Sequence, residues 1–392
     1  MSIFSRSVKY HRPRGLLCAA GRCPNCMMNI DGQPNVKACT TLVKQGMRVK
    51  HQNAWPSLEH DVASIADKFS FLLPVGFYYK TFIHPKWAWP IARRFIRRVA
   101  GIGEIDRDLR GADGYEHAHR HVDIAVVGGG AAGLSAALEA AKLGHRVLLI
   151  DDQHELGGHL RFKSGSCSDN GGEFVGLPGF QIASRLAAEV TARANIEVLR
   201  DAGCFGVYEG NLLGVAHGKA LVKVRTKRII VSTGCHERPF VFSSNDLPGI
   251  FLGSALQRLV NLYGVMPCRR IVVATNNPYG YEVAADLLDA GAEIVAVIDA
   301  RRNPTGNKEH LRKLREKGIP LLESHILIEA IGSKSVEGVS VGRIDESGKL
   351  AQGSEAMLKC DAIATSVGFE PANGLLYQAG CKTRFDEELG ED

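Results

Sequence analysis

The segment that decides the fold reads His121-Val-Asp-Ile-Ala-Val-Val127, then Gly128-Gly129-Gly130-Ala131-Ala132-Gly133-Leu-Ser-Ala-Ala-Leu-Glu-Ala-Ala141, and then Arg146-Val-Leu-Leu-Ile150-Asp151-Asp152. A short β-branched run is the mark of a buried strand, and the alanine-rich stretch after the glycines is a strong helix former. The glycines between them divide the work. Gly128 permits a tight turn, Gly130 lets backbone approach a pyrophosphate, and Gly133 lets helix and strand pack closely. Phosphates then sit at the helix N-terminus, beside Ala131 and Ala132. The second strand ends at Asp151, with Asp152 next to it, where a carboxylate accepts the adenosine ribose hydroxyls and disfavours a 2′-phosphate.

Strand, glycine turn, helix, strand and acid together predict a Rossmann-like lobe that binds FAD or NAD. Further along, Leu156-Gly157-Gly158-His159-Leu160 resembles the paired-glycine segment that flavin disulfide-reductase-like folds bring against the cofactor. Arg228-Ile-Ile-Val-Ser-Thr233-Gly234 resembles the strand that returns to the dinucleotide in that fold. A second βαβ unit is expected at Arg270–Thr275, a helix from Glu282 to Ala292, and Glu293–Asp299. Its turn, Thr275-Asn-Asn-Pro-Tyr-Gly280, keeps only the last glycine, and side chains at the first positions crowd a pyrophosphate. This lobe is expected to keep its shape and lose ordinary NAD(P)H binding. No C-x2-C lies in the α/β region, which excludes dithiol chemistry there.

Upstream, Cys18-Ala-Ala-Gly-Arg-Cys23-Pro-Asn-Cys26 and Cys39 form C-x4-C-x2-C-x12-C, whose first part is the plant-type ferredoxin spacing. A short loop of small residues can curl around a [2Fe-2S] cluster and turn its N–H groups toward the sulfurs. Cys26–Ile30 and Asn35–Thr41 flank Asp31-Gly32, a hairpin signal that brings Cys39 back to the loop. A zinc site usually pairs two C-x2-C knuckles, and only one exists here. Cys167, Cys204, Cys235, Cys268, Cys360 and Cys381 read as small apolar fillers. His117, His119 and His121 read as an exposed linker.

The chain has 392 residues and is 45% hydrophobic, enough for two or three cores. Residues 1–100 hold 16 Lys/Arg against 4 Asp/Glu, which leaves a net −6 on the remainder. That basic end suits an anionic cofactor or an acidic partner subunit, and no nucleic-acid motif accompanies it. The N-terminus lacks a signal-peptide h-region, so a cytoplasmic location is expected. The apolar stretch Phe69 to Gly103 is broken by prolines and by Arg93, Arg94, Arg97 and Arg98, so it is not expected to span a bilayer; contact with a membrane surface or a docking subunit stays open.

Taken in order, these pieces resemble the α subunits of heteromeric amine and imino-acid oxidoreductases: sarcosine oxidase, dye-linked proline dehydrogenase, opine oxidase and hydrogen cyanide synthase. The segments that carry the resemblance are Phe4–Gly15, Pro34–Cys39, Gln52–Ser57, Gly76–Phe82, Gly234–Phe242 and Thr275–Asn277. The resemblance implies an electron-transfer subunit beside a β-like flavoprotein that oxidises the amine, an FMN at the subunit interface, and an electron acceptor. Lys80 and His236 are of interest only through it, and no acid/base catalyst is assigned. Two rival readings are a self-contained NAD(P)H-dependent ferredoxin-type reductase and a non-catalytic scaffold.

The expected fold class is α/β: a partial β-grasp [2Fe-2S] ferredoxin-like domain (1–50), a helical or linker segment (51–120), a first dinucleotide-binding lobe (121–245), a second Rossmann-like lobe (246–350), and a return to the first lobe (351–392). Both ends are expected to be truncated relative to the family, as in a fragment or split-gene product.

Overall fold

The computed structural model describes residues 3–74, 76, 84–101, 103, 116–167, 172–304 and 308–387. Lys80 lies outside them, as does most of Gly76–Phe82. The chain divides into two units: Met1–Leu109 with Arg238–Gly368, and Arg110–Glu237 with Phe369–Asp392.

The second of these carries a six-stranded sheet in the order Ile196–Leu199, Val147–Ile150, Glu116–Val127, Ala220–Val231, Leu212–His217, Ala202–Tyr208. The first four strands are parallel and the last two antiparallel. Val147–Ile150 is buried along its whole length, as expected for a strand covered on both faces. Leu149 packs with Leu134, Ile182 and Leu186 under helices Ala131–Lys142 and Gly179–Ala192, while Leu148 and Ile150 face Leu213 and Val224. Each such side chain contributes roughly 1.5–3 kcal/mol. The opening strand begins at Glu116, five residues before the expected start. His117, His119 and His121, expected in a linker, therefore lie on it, in register with Leu221, Lys223 and Arg225.

In the other unit, a five-stranded parallel sheet runs Ile250–Leu252, Ala362–Ser366, Arg270–Thr275, Glu293–Asp299, Leu321–Glu323. One face buries Leu256, Tyr281, Leu287 and Leu314 under three helices. The other packs Val272 and Ile298 against Val339 and Val341 of a three-stranded antiparallel sheet. Ala362–Ser366 is thus an inner strand of the second lobe, and the return to the first lobe starts at Phe369, where Phe369–Pro371 pairs with Cys235–Glu237.

The N-terminal region of the same unit carries the cysteine loop on a small sheet, Gln33–Lys37, Met27–Ile30, Val49–Lys50. Asp31 and Gly32 both have positive φ, +52° and +83°, as a two-residue hairpin turn demands. Buried polar bonds hold this region together. His11 Nδ1 meets Asp61 Oδ2 at 2.6 Å, Arg6 donates to the His11 carbonyl at 2.9 Å, and Asn53 accepts from the Arg6 amide. Helix Ala88–Ala100 follows, with Trp87, Ile91, Phe95 and all four of its arginines exposed.

Candidate functional site

The glycine turn of the first lobe is closed by backbone contacts at Gly128 and Gly158 that admit no side chain. Gly128 has φ +108°, and a Cβ on it would lie 2.2 Å from the Ser232 carbonyl oxygen. Gly130 bridges Gly157, and a Cβ on Gly158 would come 2.9 Å from the Gly130 Cα. A Cβ on Gly130 itself would meet nothing closer than 3.9 Å, so the turn is open on that side. Helix Ala131–Lys142 starts there with no side-chain cap and no acid in its first turn, which leaves its leading N–H groups available to an anion.

Asp151 faces this turn. Its carboxylate accepts the Gly129 amide and, at 2.8 Å, the Gln153 amide. Burial pushes its pKa up, and those two N–H groups pull against that. Asp152 is exposed and accepts from the Gln153 side chain at 2.8 Å. Thr233 and Gly234 meet the returning chain: Thr233 Oγ1 donates to the Ala372 carbonyl at 3.0 Å and Ala372 N–H to the Gly234 carbonyl at 2.9 Å. His159 lies 5.3 Å from the Phe162 ring and 5.9 Å from Phe369. Ser232 escaped the sequence reading; its hydroxyl donates to the carbonyls of Val127 and Gly128, both at 3.0 Å, and its place before Thr233-Gly234 was the available signal.

The corresponding turn of the second lobe is filled by its own side chains. Asn277 Oδ1 accepts the Tyr279 amide at 3.0 Å and Asn277 Nδ2 donates to the Ser366 carbonyl at 2.9 Å, so Asn277 occupies the first amide of helix Tyr279–Asp289 and ties the turn to a neighbouring strand. Gly280 remains because its Cβ would sit 2.3 Å from the Thr275 Cβ. At the strand end, Asp299 is 1% exposed and takes the Tyr281 hydroxyl at 2.8 Å and Arg301 Nη2 at 2.7 Å. Asn277 thus crowds the turn that precedes helix Tyr279–Asp289, while Tyr281 is buried in the core and Arg301 is tied to Asp299.

The four cysteines converge. Cys18 and Cys26 are buried, while Cys23 and Cys39 are half-buried. The amides of Arg22 and Cys23 donate to Cys18 Sγ at 3.4 Å, and that of Gly21 to Cys39 Sγ at 3.2 Å. Ala19 and Gly21 take positive φ, which curls the loop. Among the described residues no group of three or more His, Cys, Asp or Glu is arranged for a single metal ion. Side-chain interactions link Cys18 to Cys23 and to Cys39, and Cys39 to Cys26, so all four thiols belong to one connected group. Thiols donating from Cys23 and Cys39 hold Cys18 far below the usual thiol range, and Cys39 brings Cys26 down to about 7. Four connected thiols, N–H groups turned toward Cys18 and Cys39, and a loop of small residues fit a [2Fe-2S] cluster. Of the other cysteines, Cys268 and Cys360 are buried, their thiols pushed up to about 12, whereas Cys381 is exposed and is not a core filler.

The pyridine nucleotide-disulphide oxidoreductase family matches residues 122–389. The chain belongs to that family. Residues 1–54 also match a 2Fe-2S iron-sulfur cluster binding domain. It is 31% identical over 405 residues to the alpha subunit of sarcosine oxidase from Rhizobium meliloti (strain 1021), covering 98% of this chain and 39% of that one. It is also 26% identical over 291 residues to an opine oxidase subunit from Agrobacterium tumefaciens (strain Ach5), covering 68% and 56%. The chain thus spans about two fifths of the sarcosine oxidase relative. L-proline dehydrogenase from P. horikoshii shares its fold with a TM-score of 0.63 at 21% identity over 98% of this chain and 58% of that one. Thioredoxin reductase from T. acidophilum does so with 0.54 at 18%, over 68% and 83%.

Proposed function

We propose that the chain is the electron-transfer and dinucleotide-binding subunit of a flavin-dependent oxidoreductase acting on the C–N bond of secondary amines or imino acids of sarcosine, proline or opine type. The observation that carries this is the contrast between the two Rossmann-like turns. One is an open backbone cradle, and in the other Asn277 bonds across the turn to Tyr279 and Ser366. A second turn crowded by Asn277 is poorly suited to a nicotinamide dinucleotide, which supports a β-like flavoprotein partner over a self-contained NAD(P)H reductase.

In this reading Cys18, Cys23, Cys26 and Cys39 hold the cluster, which when bound supplies one-electron transfer. Gly128, Gly130, Ala131, Ala132 and Gly133 receive the pyrophosphate of FAD, or of NAD in the alternative. Asp151 orients the adenosine ribose, and Gly157, Gly158, Thr233 and Gly234 form the backbone around the rest. The helix Ala88–Ala100 offers the partner an apolar ridge, Trp87, Ile91 and Phe95, among arginines that form no ion pair with described residues. FMN at the subunit interface and a separate electron acceptor complete the proposal. Among the described residues no helix is long and apolar enough to cross a membrane. The ten cysteines form no disulfide among the described residues, which suits the reducing cytoplasm.

Co-expression with a β-like flavoprotein tests this. Dye reduction driven by a secondary amine should appear only with both chains and fall at least tenfold in Cys18→Ser and Cys39→Ser. Unchanged dye reduction in those variants, or reduction by NADH without a partner, overturns it.

A further inference from the structure

The cysteine loop is attached to the second lobe. Residues 15–18 run along the outer edge of its parallel sheet, where the Leu252 amide donates to the Leu17 carbonyl at 2.9 Å. Their side chains alternate as on an added strand. Leu16 packs on the face holding Phe251 and Leu256, and Leu17 on the opposite face with Ile250 and Ile363. Gly15 allows the approach, since a Cβ on it would lie 2.8 Å from the Pro248 Cα. Beyond this edge, Cys18 and Ala19 are buried directly against Leu252 and Ala255, with Cys23 at the margin. Ala255 is 0% exposed and lies in the first turn of helix Gly253–Asn261, whose start has no side-chain cap. The positive end of a helix dipole therefore adjoins the loop.

We propose that strand Ile250–Leu252 and the first turn of helix Gly253–Asn261 form the inner wall of the [2Fe-2S] site, so that the second lobe governs the cluster's reduction potential and lifetime. Leu252 and Ala255 are positioning residues in this role: they exclude water from the Cys18 side and hold the loop's curl. A dry wall and a nearby positive dipole act on the charge that reduction adds, which is how a protein tunes such a centre. The inference rests on the cysteines binding a cluster.

The test uses the full chain, reconstituted with iron and sulfide. Ala255→Leu overfills the contact with Cys18, Leu252→Ala opens it, and Gly15→Ala lifts the segment off the sheet edge. Leu287→Ala, buried in the same lobe and outside the Cys18–Ala255 contact, is the control for general destabilisation. Midpoint potential, the electron paramagnetic resonance signal of the reduced protein and the half-life of visible absorbance are read for each, with far-UV circular dichroism as the check on folding. The expected result is a shifted potential, an altered signal and a half-life shortened at least fivefold in the wall variants, all unlike Leu287→Ala. The milder Ala255→Gly is read if Ala255→Leu does not fold. Wall variants that match the control in all three readouts overturn the inference. Failure of the unsubstituted chain to bind iron and sulfide instead overturns the cluster assignment beneath it.

Discussion

Gly133 lies so close to Gly128 that a Cβ on Gly133 would come 1.8 Å from the Gly128 carbonyl oxygen. That contact presses the first turn of helix Ala131–Lys142 onto the end of strand Glu116–Val127, and no side-chain rotation relieves it. Gly133→Ala is expected to destabilise the chain by about 2 kcal/mol or more and to abolish dinucleotide binding. Denaturant midpoints and the nucleotide released on unfolding check both.

Asp151 bears on pH. Its folded pKa is raised by burial, so the folded chain holds this proton more tightly than the unfolded one. The penalty is absent below the unfolded value and sets in as pH rises through the folded value. Asp151→Asn should remove that part of the pH dependence and leave the empty protein at least as stable at neutral pH. It should also weaken dinucleotide binding about 10- to 100-fold, by loss of charged hydrogen bonds to ribose. Thermal melts across pH and nucleotide titrations separate the two effects.

The second lobe predicts a negative result. With Asn277 bonded to Tyr279 and Ser366 across the turn, NADH and NADPH should not reduce the reconstituted protein by itself. Anaerobic absorbance spectra after addition of either nucleotide are the measurement.

Removing Arg301 should expose how far that lobe depends on its internal pairing. Asp299 is nearly inaccessible and would keep the Tyr281 hydroxyl as a partner while losing its cation. Arg301→Ala is expected to cost about 2 kcal/mol, in the range of a charge-assisted hydrogen bond, and Tyr281→Phe about 1 kcal/mol. Neither should open the lobe to NADH, since Asn277 stays in place. Urea unfolding quantifies the cost.

Much of this architecture is legible in the sequence because its signals are local. Gly128, Gly130, Gly133 and Asp151 fall within one strand–turn–helix–strand run, and the Asp31-Gly32 turn sits between its own two strands. The missing glycines at Thr275–Tyr279 were equally plain. What replaces them was not, because Asn277 is fixed by the Ser366 carbonyl on a strand about 90 residues later. The wall behind Cys18 depends on Leu252 and Ala255, and the chain's crossing between units depends on Phe369 pairing with Glu237. Pairings at such separations leave no periodic trace. His117, His119 and His121 were missed for another reason: an exposed, polar strand end looks like a linker until its partner Ala220–Val231 is known.

The interrupted unit, Met1–Leu109 with Arg238–Gly368, also sets an order of events during synthesis. The cysteine loop leaves the ribosome early, but Leu252 and Ala255 are made about 235 residues after Cys18. At cellular elongation rates that gap lasts on the order of tens of seconds. Through that interval the thiols stand in water with no second lobe behind them, open to oxidation and to adventitious metals. With the wall behind Cys18 still unmade, nascent chains stalled before Leu252 are expected to lose iron that the full chain keeps.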